Sequence, residues 1–184
     1  MMKFTLSTDH WLNEAKHVVS PFYDARPDDK DISLLVVHNI SLPPGQFGGP
    51  YIEQLFTGTL NPDDHPFFKV IHQFRVSAHC LIRRDGCVVQ FVPFNARAWH
   101  AGTSSFAGRE RCNDYSIGIE LEGTDFTAYT QEQYDSLAVV TNVLQDAYPL
   151  IVDKRITGHQ YIAPLRKTDP GLSFHWEKYH KLRK

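Results

Sequence analysis

Residues 34–41 read LLVVHNIS. Four aliphatic residues run straight into a histidine. The surrounding segment DISLLVVH, 31–38, is short, apolar and rich in β-branched residues, which predicts a buried central strand. The strand is expected to end on His38, because SLPPGQFGGP at 41–50 holds three prolines and three glycines and must be a loop. A loop directly after a buried strand is a favoured place for function. An imidazole at that junction is either a hydrogen-bonded structural histidine or a ligand held by a rigid element. The residues alone leave both open.

The rest of the chain bounds what such a strand can belong to. With 184 residues, 42% hydrophobic and 22% charged, it suits one domain with a substantial core. The formal net charge of −2 makes no electrostatic case for nucleic acid or an anionic membrane as partner. No stretch approaches the ~20 apolar residues of a membrane span. The start, MMKFTLSTDHWLNEAKH, lacks the apolar core of a signal peptide, so a cytoplasmic monomer is expected. Cys80, Cys87 and Cys112 are odd in number and form no C-x-x-C, which suits reduced, mostly buried thiols.

Other elements can be placed coarsely. Trp11 to His17 is a short helical candidate, YIEQLF at 51–56 one or two helical turns, and NPDDHPFFKVIHQF a turn followed by a short helix. RVSAHCLIRRDGCVVQFVPF, 75–94, predicts a hairpin turning at Asp85-Gly86. In DYSIGIELEG, 114–123, a strand would put Ile117, Ile119 and Leu121 on one face and Gly118, Glu120 and Glu122 on the other. TQEQYDSLAVVTNVLQDAY, 130–148, predicts the main helix: Thr130 and Gln133 fit a capping box, and Tyr134, Leu137, Ala138, Leu144 and Tyr148 form its apolar stripe. SFHWEKYHKLRK suggests a final helix with a basic end. Hairpins mixed with helices predict an α/β fold with a mixed central sheet and helices packed around it.

The chemistry gathers in two places. GHQYIAPLRKTDPG, 158–171, sets His159, Arg166, Lys167 and Asp169 among Gly and Pro, as a shaped loop would. If His38, His159 and Asp169 meet, two imidazoles and a carboxylate suit Zn²⁺, with a fourth position left for water. Glu120 is either a general base facing a pocket or part of a solvated sheet face with Glu122. Lys167 is either a fixed charge for a developing oxyanion or an exposed loop lysine. Arg111 suits a carboxylate, although Arg109, Glu110 and Arg111 equally suit a surface ion-pair cluster. Trp99 is pocket wall or core, His100 is pocket wall or a structural hydrogen bond, and His79 is a supporting residue or exposed. Cys112, near two arginines, leaves room for a Cys/His hydrolase, as does Cys80.

Taken in order, LLVVHNISLPPGQFGGPYI, RVSAHCLIRRDG, RAWHAG, GRERCNDYSIGIELEGTD and GHQYIAPLRKTDPG resemble the zinc-dependent N-acetylmuramoyl-L-alanine amidases. That family also contains phage amidase-type lysozymes and peptidoglycan recognition proteins. The resemblance extends over nearly the whole chain. It implies a single amidase domain over 1–184, with 1–19 as an N-terminal extension packed on it. It implies one zinc ion on His38, His159 and Asp169, Glu120 and Lys167 as catalytic groups, and Asn39, Arg75, Trp99 and Arg111 along the substrate cleft. The implied reaction cleaves the amide between 1,6-anhydro-N-acetylmuramic acid and L-alanine during cytoplasmic peptidoglycan recycling. Two other implications stay beside it: a muropeptide-binding module without catalysis, and an amidase acting more broadly on non-anhydro muropeptides.

Overall fold

The computed structural model describes residues 3–183. In chain order the first half contains β1 (Lys16–His17), β2 (Tyr23–Ala25), β3 (Leu34–Ile40), α1 (Tyr51–Thr57), α2 (Phe68–Ile71), β4 (Cys80–Ile82) and β5 (Val88–Gln90). The second half contains β6 (Ala96–Ala98), β7 (Ser105–Phe106), β8 (Arg109–Glu110), β9 (Ser116–Glu122), α3 (Gln131–Ala147), β10 (Ile156–Gly158), α4 (His159–Ile162) and α5 (Trp176–Leu182). The main sheet runs β1-β5-β4-β9-β3-β10. Only the β4–β5 pair is antiparallel; the other neighbours are parallel, so the sheet is mixed, as expected.

β3 and β9 lie at the centre because both faces of each are covered, which is why β3 reads as an unbroken apolar run. Leu35, Val37, Ile117, Ile119 and Leu121 meet Tyr134, Leu137, Val140 and Leu144 of α3 in one buried cluster. Burying a leucine such as Leu137 stabilises the fold by about 1.5–3 kcal/mol. The opposite face carries two separate clusters. One joins α1 and α2 to Leu81 and Val89; the other joins Leu34 and Val36 to Ala101, Cys112, Tyr115 and Ile162. The seam between those two clusters is where polar side chains of β3 and β9 emerge.

α3 begins where expected. Thr130 accepts from the Gln133 N–H, and the Gln133 side chain answers the Thr130 backbone. The buried Gln133 amide also donates to the carbonyls of Ile82 and Glu122, tying the helix start to the ends of β4 and β9. The hairpin turns through Arg83 to Cys87 with Gly86 at φ +82, left-handed backbone that glycine adopts without strain.

Three expectations need correction. β3 does not end on His38 but continues through Asn39 and Ile40, because its pairing with β9 runs on to Ile40–Glu122. Trp11 to His17 is not helical: turns lead into β1, which adds in parallel to β5. The hairpin is also shorter than its alternation suggested, since Arg75 to Ala78 lie outside β4. Ser77 instead bonds the Phe22 carbonyl and the Trp99 N–H.

Candidate functional site

The register of β3 on β9 sets His38 directly beside Glu120. Side chains at paired positions share a face, so both project into the seam. β10, on the other side of β3, delivers His159. The sequence predicted a loop at this position, but His159 is the first residue of α4, one helical turn that starts as β10 ends. The chain then doubles back. Lys167 N–H donates to the Ala163 carbonyl at 3.0 Å and Gln160 N–H to the Asp169 carbonyl at 2.9 Å, which returns Asp169 to the histidine.

His38, His159 and Asp169 converge. The two Nδ1 atoms stand 2.9 Å apart, and each lies 3.0 Å from Asp169 Oδ2. Both imidazoles are buried, and Asp169 is nearly so. His159 Nε2 faces the Ala101 carbonyl at 3.1 Å. A carbonyl only accepts, so Nε2 carries the proton and Nδ1 presents a bare lone pair to the cluster. Lone pairs gathered on one point in a buried setting repel unless a cation lies between them, and two imidazoles with a carboxylate suit a borderline metal such as zinc. The donor set therefore fits a metal.

The electrostatics agree. Burial lowers the His38 pKa to about 4, so its imidazole is neutral and available as a ligand. Burial would raise Asp169, but its close approach to His159 and His38 holds it well below the usual carboxylate range. Burial and the Asp169 charge together push Glu120 well above that range, opposed in part by Lys167. Glu120 Oε2 is buried and has no hydrogen-bond partner among the described residues.

These groups line one cleft of about 400 Å³, with Lys167, Asn39, Trp99 and His100. Its opposite wall is apolar, formed by residues that include Phe67, Ile71, Phe74 and Val76. Asn39 spends its amide on Asp125 Oδ1 at 2.8 Å and the Pro170 carbonyl at 3.1 Å, bracing the residue after Asp169. Trp99 both lines the cleft and stacks on Phe22, so neither of its two readings excludes the other.

Other predicted positions fall elsewhere. Arg75 is exposed and does not line this cleft, although Phe74 and Val76 on either side of it do. Arg111 is also exposed, pairs with Asp114 at 3.1 Å and borders a separate hollow with Arg166. Arg109 pairs with Asp31, so the surface ion-pair reading describes this segment. Glu122 is not on a solvated face: it is buried against Arg83. His79 is not exposed. It is fully buried, accepting from the Gly118 N–H on Nδ1 and facing the Ala96 carbonyl with Nε2. Cys112 is buried against the Tyr115 hydroxyl, and burial pushes the Cys80 thiol far up, so neither is an activated nucleophile.

The fold and the converging groups have counterparts in known proteins. The family model described as N-acetylmuramoyl-L-alanine amidase matches residues 28–172, and the chain belongs to that family. Within it, the chain is 64% identical over 177 residues to the 1,6-anhydro-N-acetylmuramyl-L-alanine amidase AmpD of Citrobacter freundii, covering 96% of this chain and 94% of that one. A crystal structure of a selenomethionine AmpD derivative superposes with a TM-score of 0.95 at 63% identity, covering 98% of this chain and 100% of that one. AmpDh3 of Pseudomonas aeruginosa, solved in complex with anhydromuramic pentapeptide, is more distant: 27% identity and a TM-score of 0.64, covering 85% of this chain and 61% of that one.

Proposed function

We propose that residues 1–184 act as one zinc-dependent amidase that hydrolyses the bond between the lactyl group of 1,6-anhydro-N-acetylmuramic acid and L-alanine, as a cytoplasmic monomer in peptidoglycan recycling. The observation that carries the reading is the convergence of His38, His159 and Asp169 beside Glu120, whose Oε2 is buried without a hydrogen-bond partner among the described residues. The chain holding this cluster is 64% identical to an amidase named for that substrate. Free Cys87 on the surface suits a reducing compartment. No helix among the described residues is long and apolar enough to cross a membrane.

In this scheme His38 and His159 offer Nδ1, and Asp169 offers Oδ2, to one zinc ion. When bound, zinc supplies Lewis acidity, activating water and polarising the scissile carbonyl. Glu120 is placed to take the proton from the attacking water, because its register beside His38 aims it into the same cleft. A carboxyl held above its ordinary range is a better proton acceptor once ionised, and in its acid form it returns the proton to the departing amine of L-alanine. Lys167 offers a fixed positive charge as the carbonyl oxygen becomes negative. The apolar wall opposite offers a nonpolar surface for the uncharged part of the substrate.

The test is mass spectrometry of anhydro-N-acetylmuramyl tripeptide incubated with the protein as purified, after chelation, and after zinc is restored. Free tripeptide should appear, vanish with the chelator and return with zinc. Intact substrate in zinc-replete protein would refute the reading and leave a muropeptide-binding cleft.

A further inference from the structure

The cluster does not stand alone. His38 Nε2 lies 2.9 Å from His100 Nδ1, and His100 Nε2 lies 3.1 Å from the Ser116 hydroxyl. The next residue, Ala101, supplies the carbonyl that faces His159 Nε2 at 3.1 Å. Two adjacent residues therefore back both histidines. Resting on the zinc reading above, we propose that His100 is the positioning residue of His38, and that His100 and Ala101 form one strut fixing which nitrogen of each histidine is free to bind metal.

An imidazole nitrogen binds metal only when the proton sits on the other one. The Ala101 carbonyl settles this for His159. For His38, two directions exist. If His38 Nε2–H donates to His100 Nδ1, then His100 Nε2–H donates to the Ser116 oxygen, and His38 Nδ1 is bare. If the chain runs the other way, the proton of a neutral His38 sits on Nδ1, between His159 and Asp169, and blocks the cluster. Only the first direction makes a ligand, and His100 with Ser116 is the pair that completes it.

The surroundings hold this strut in place. The N–H groups of His100 and Ala101 both donate to Asn113 Oδ1, at 3.2 and 2.8 Å. Arg166 Nη2 donates to the Ala101 carbonyl at 2.6 Å. Beneath the His100 ring β9 carries Gly118, and a Cβ there would lie 2.5 Å from ring atoms. The strand is notched where the ring passes, so the ring is seated at a defined height against His38.

The experiment compares His100→Phe, His100→Asn and Ser116→Ala with the unaltered full chain. Zinc affinity of the metal-stripped proteins is read by competition with a chromogenic chelator, and the visible spectrum of the Co²⁺ form reports ligand geometry. His100→Phe keeps the ring volume and loses the acceptor; its zinc affinity should fall about 10–100-fold. His100→Asn places an amide oxygen near the position of Nδ1 and should recover most of that loss, with the Co²⁺ spectrum restored. Ser116→Ala should weaken zinc by a smaller factor. Unaltered affinity in His100→Phe overturns the proposal. Equal weakness in the Phe and Asn variants with Ser116→Ala unaffected also overturns it, marking His100 as packing only. Should His100→Phe not fold, Ser116→Ala carries the test, and wild-type affinity there overturns it. Unaltered protein that binds no zinc would sink the reading of the site itself.

Discussion

Glu120 and Glu122 stand two residues apart on β9 and face the same side of the sheet, yet their surroundings are opposite. Glu122 accepts from the Gly48 N–H at 2.7 Å, from Arg83 at 3.2 Å and from the Arg84 N–H at 3.2 Å. Arg83 in turn reaches Glu53, which reaches Lys16. Glu120 has a buried oxygen with no hydrogen-bond partner among the described residues. Buried polar groups are almost always satisfied, so the exception points to work other than holding the fold together. One carboxylate fastens the SLPPGQFGGP loop to the sheet; the other is kept free beside a cluster of metal-type donors.

The largest effect that would sharpen this contrast is at the cluster. Asp169→Ala removes the only anionic donor of the set, so bound zinc and amidase activity should both be lost, as read by metal analysis and substrate turnover. Zinc content equal to the wild type would break the assignment. Glu120→Ala comes next: turnover should fall by ~100-fold or more while zinc stays bound. Because no partner is abandoned, its urea midpoint without metal should not fall, and a clear fall would mean that Glu120 holds the fold as Glu122 does.

Glu122→Ala should behave in the reverse manner. It leaves the Gly48 and Arg84 N–H groups without their acceptor, and a stability loss of about 1–3 kcal/mol is expected from urea unfolding. Arg83 keeps Glu53 and the Gly49 carbonyl, which limits the loss. Turnover at saturating substrate should be nearly unchanged; a collapse as deep as that of Glu120→Ala would erase the distinction between the two carboxylates.

The smallest effect is a pH slope. Burial lowers the His79 pKa from 6.5 to about 3. The unfolded chain then binds a proton that the folded one refuses, so this histidine's stabilisation is complete above pH 6.5 and is lost as pH falls toward 3. The loss approaches about 1.4 kcal/mol per pH unit inside that window. His79→Asn, with no ring to protonate, should show a shallower slope between pH 6 and 5 in urea unfolding. An identical slope would remove His79 from the pH dependence.

Much of this molecule is legible in one dimension because its signals are local. The capping box at Thr130 and Gln133, the apolar stripe of α3, the glycine-marked hairpin turn and the apolar run of β3 depend on residues within a few positions of one another. The helix expected near Trp11 was misplaced because a polar, mixed segment takes its conformation from its partner, here β5 through β1. The five residues expected at the centre of the site do line one cleft, while Arg75 and Arg111 do not join them. The signal for those two was only membership of a motif, and side chains in an exposed segment turn wherever their local backbone aims them. His100 was seen only as pocket wall or structural hydrogen bond, and Asn113 gave no sequence signal.

By itself the sequence determined the mixed α/β architecture, the main helix with its cap, and which residue types were available for metal and proton chemistry. Only the tertiary structure decided that His38 sits within β3, that its neighbour across the sheet is Glu120 and not Glu122, and that His100 stands behind it. The reason is physical. Hydrophobic periodicity and caps are written in short-range spacing, whereas strand register is settled by pairing over the whole length of β3 and β9. A shift of one residue in that register would turn Glu120 away from His38 and dissolve the site.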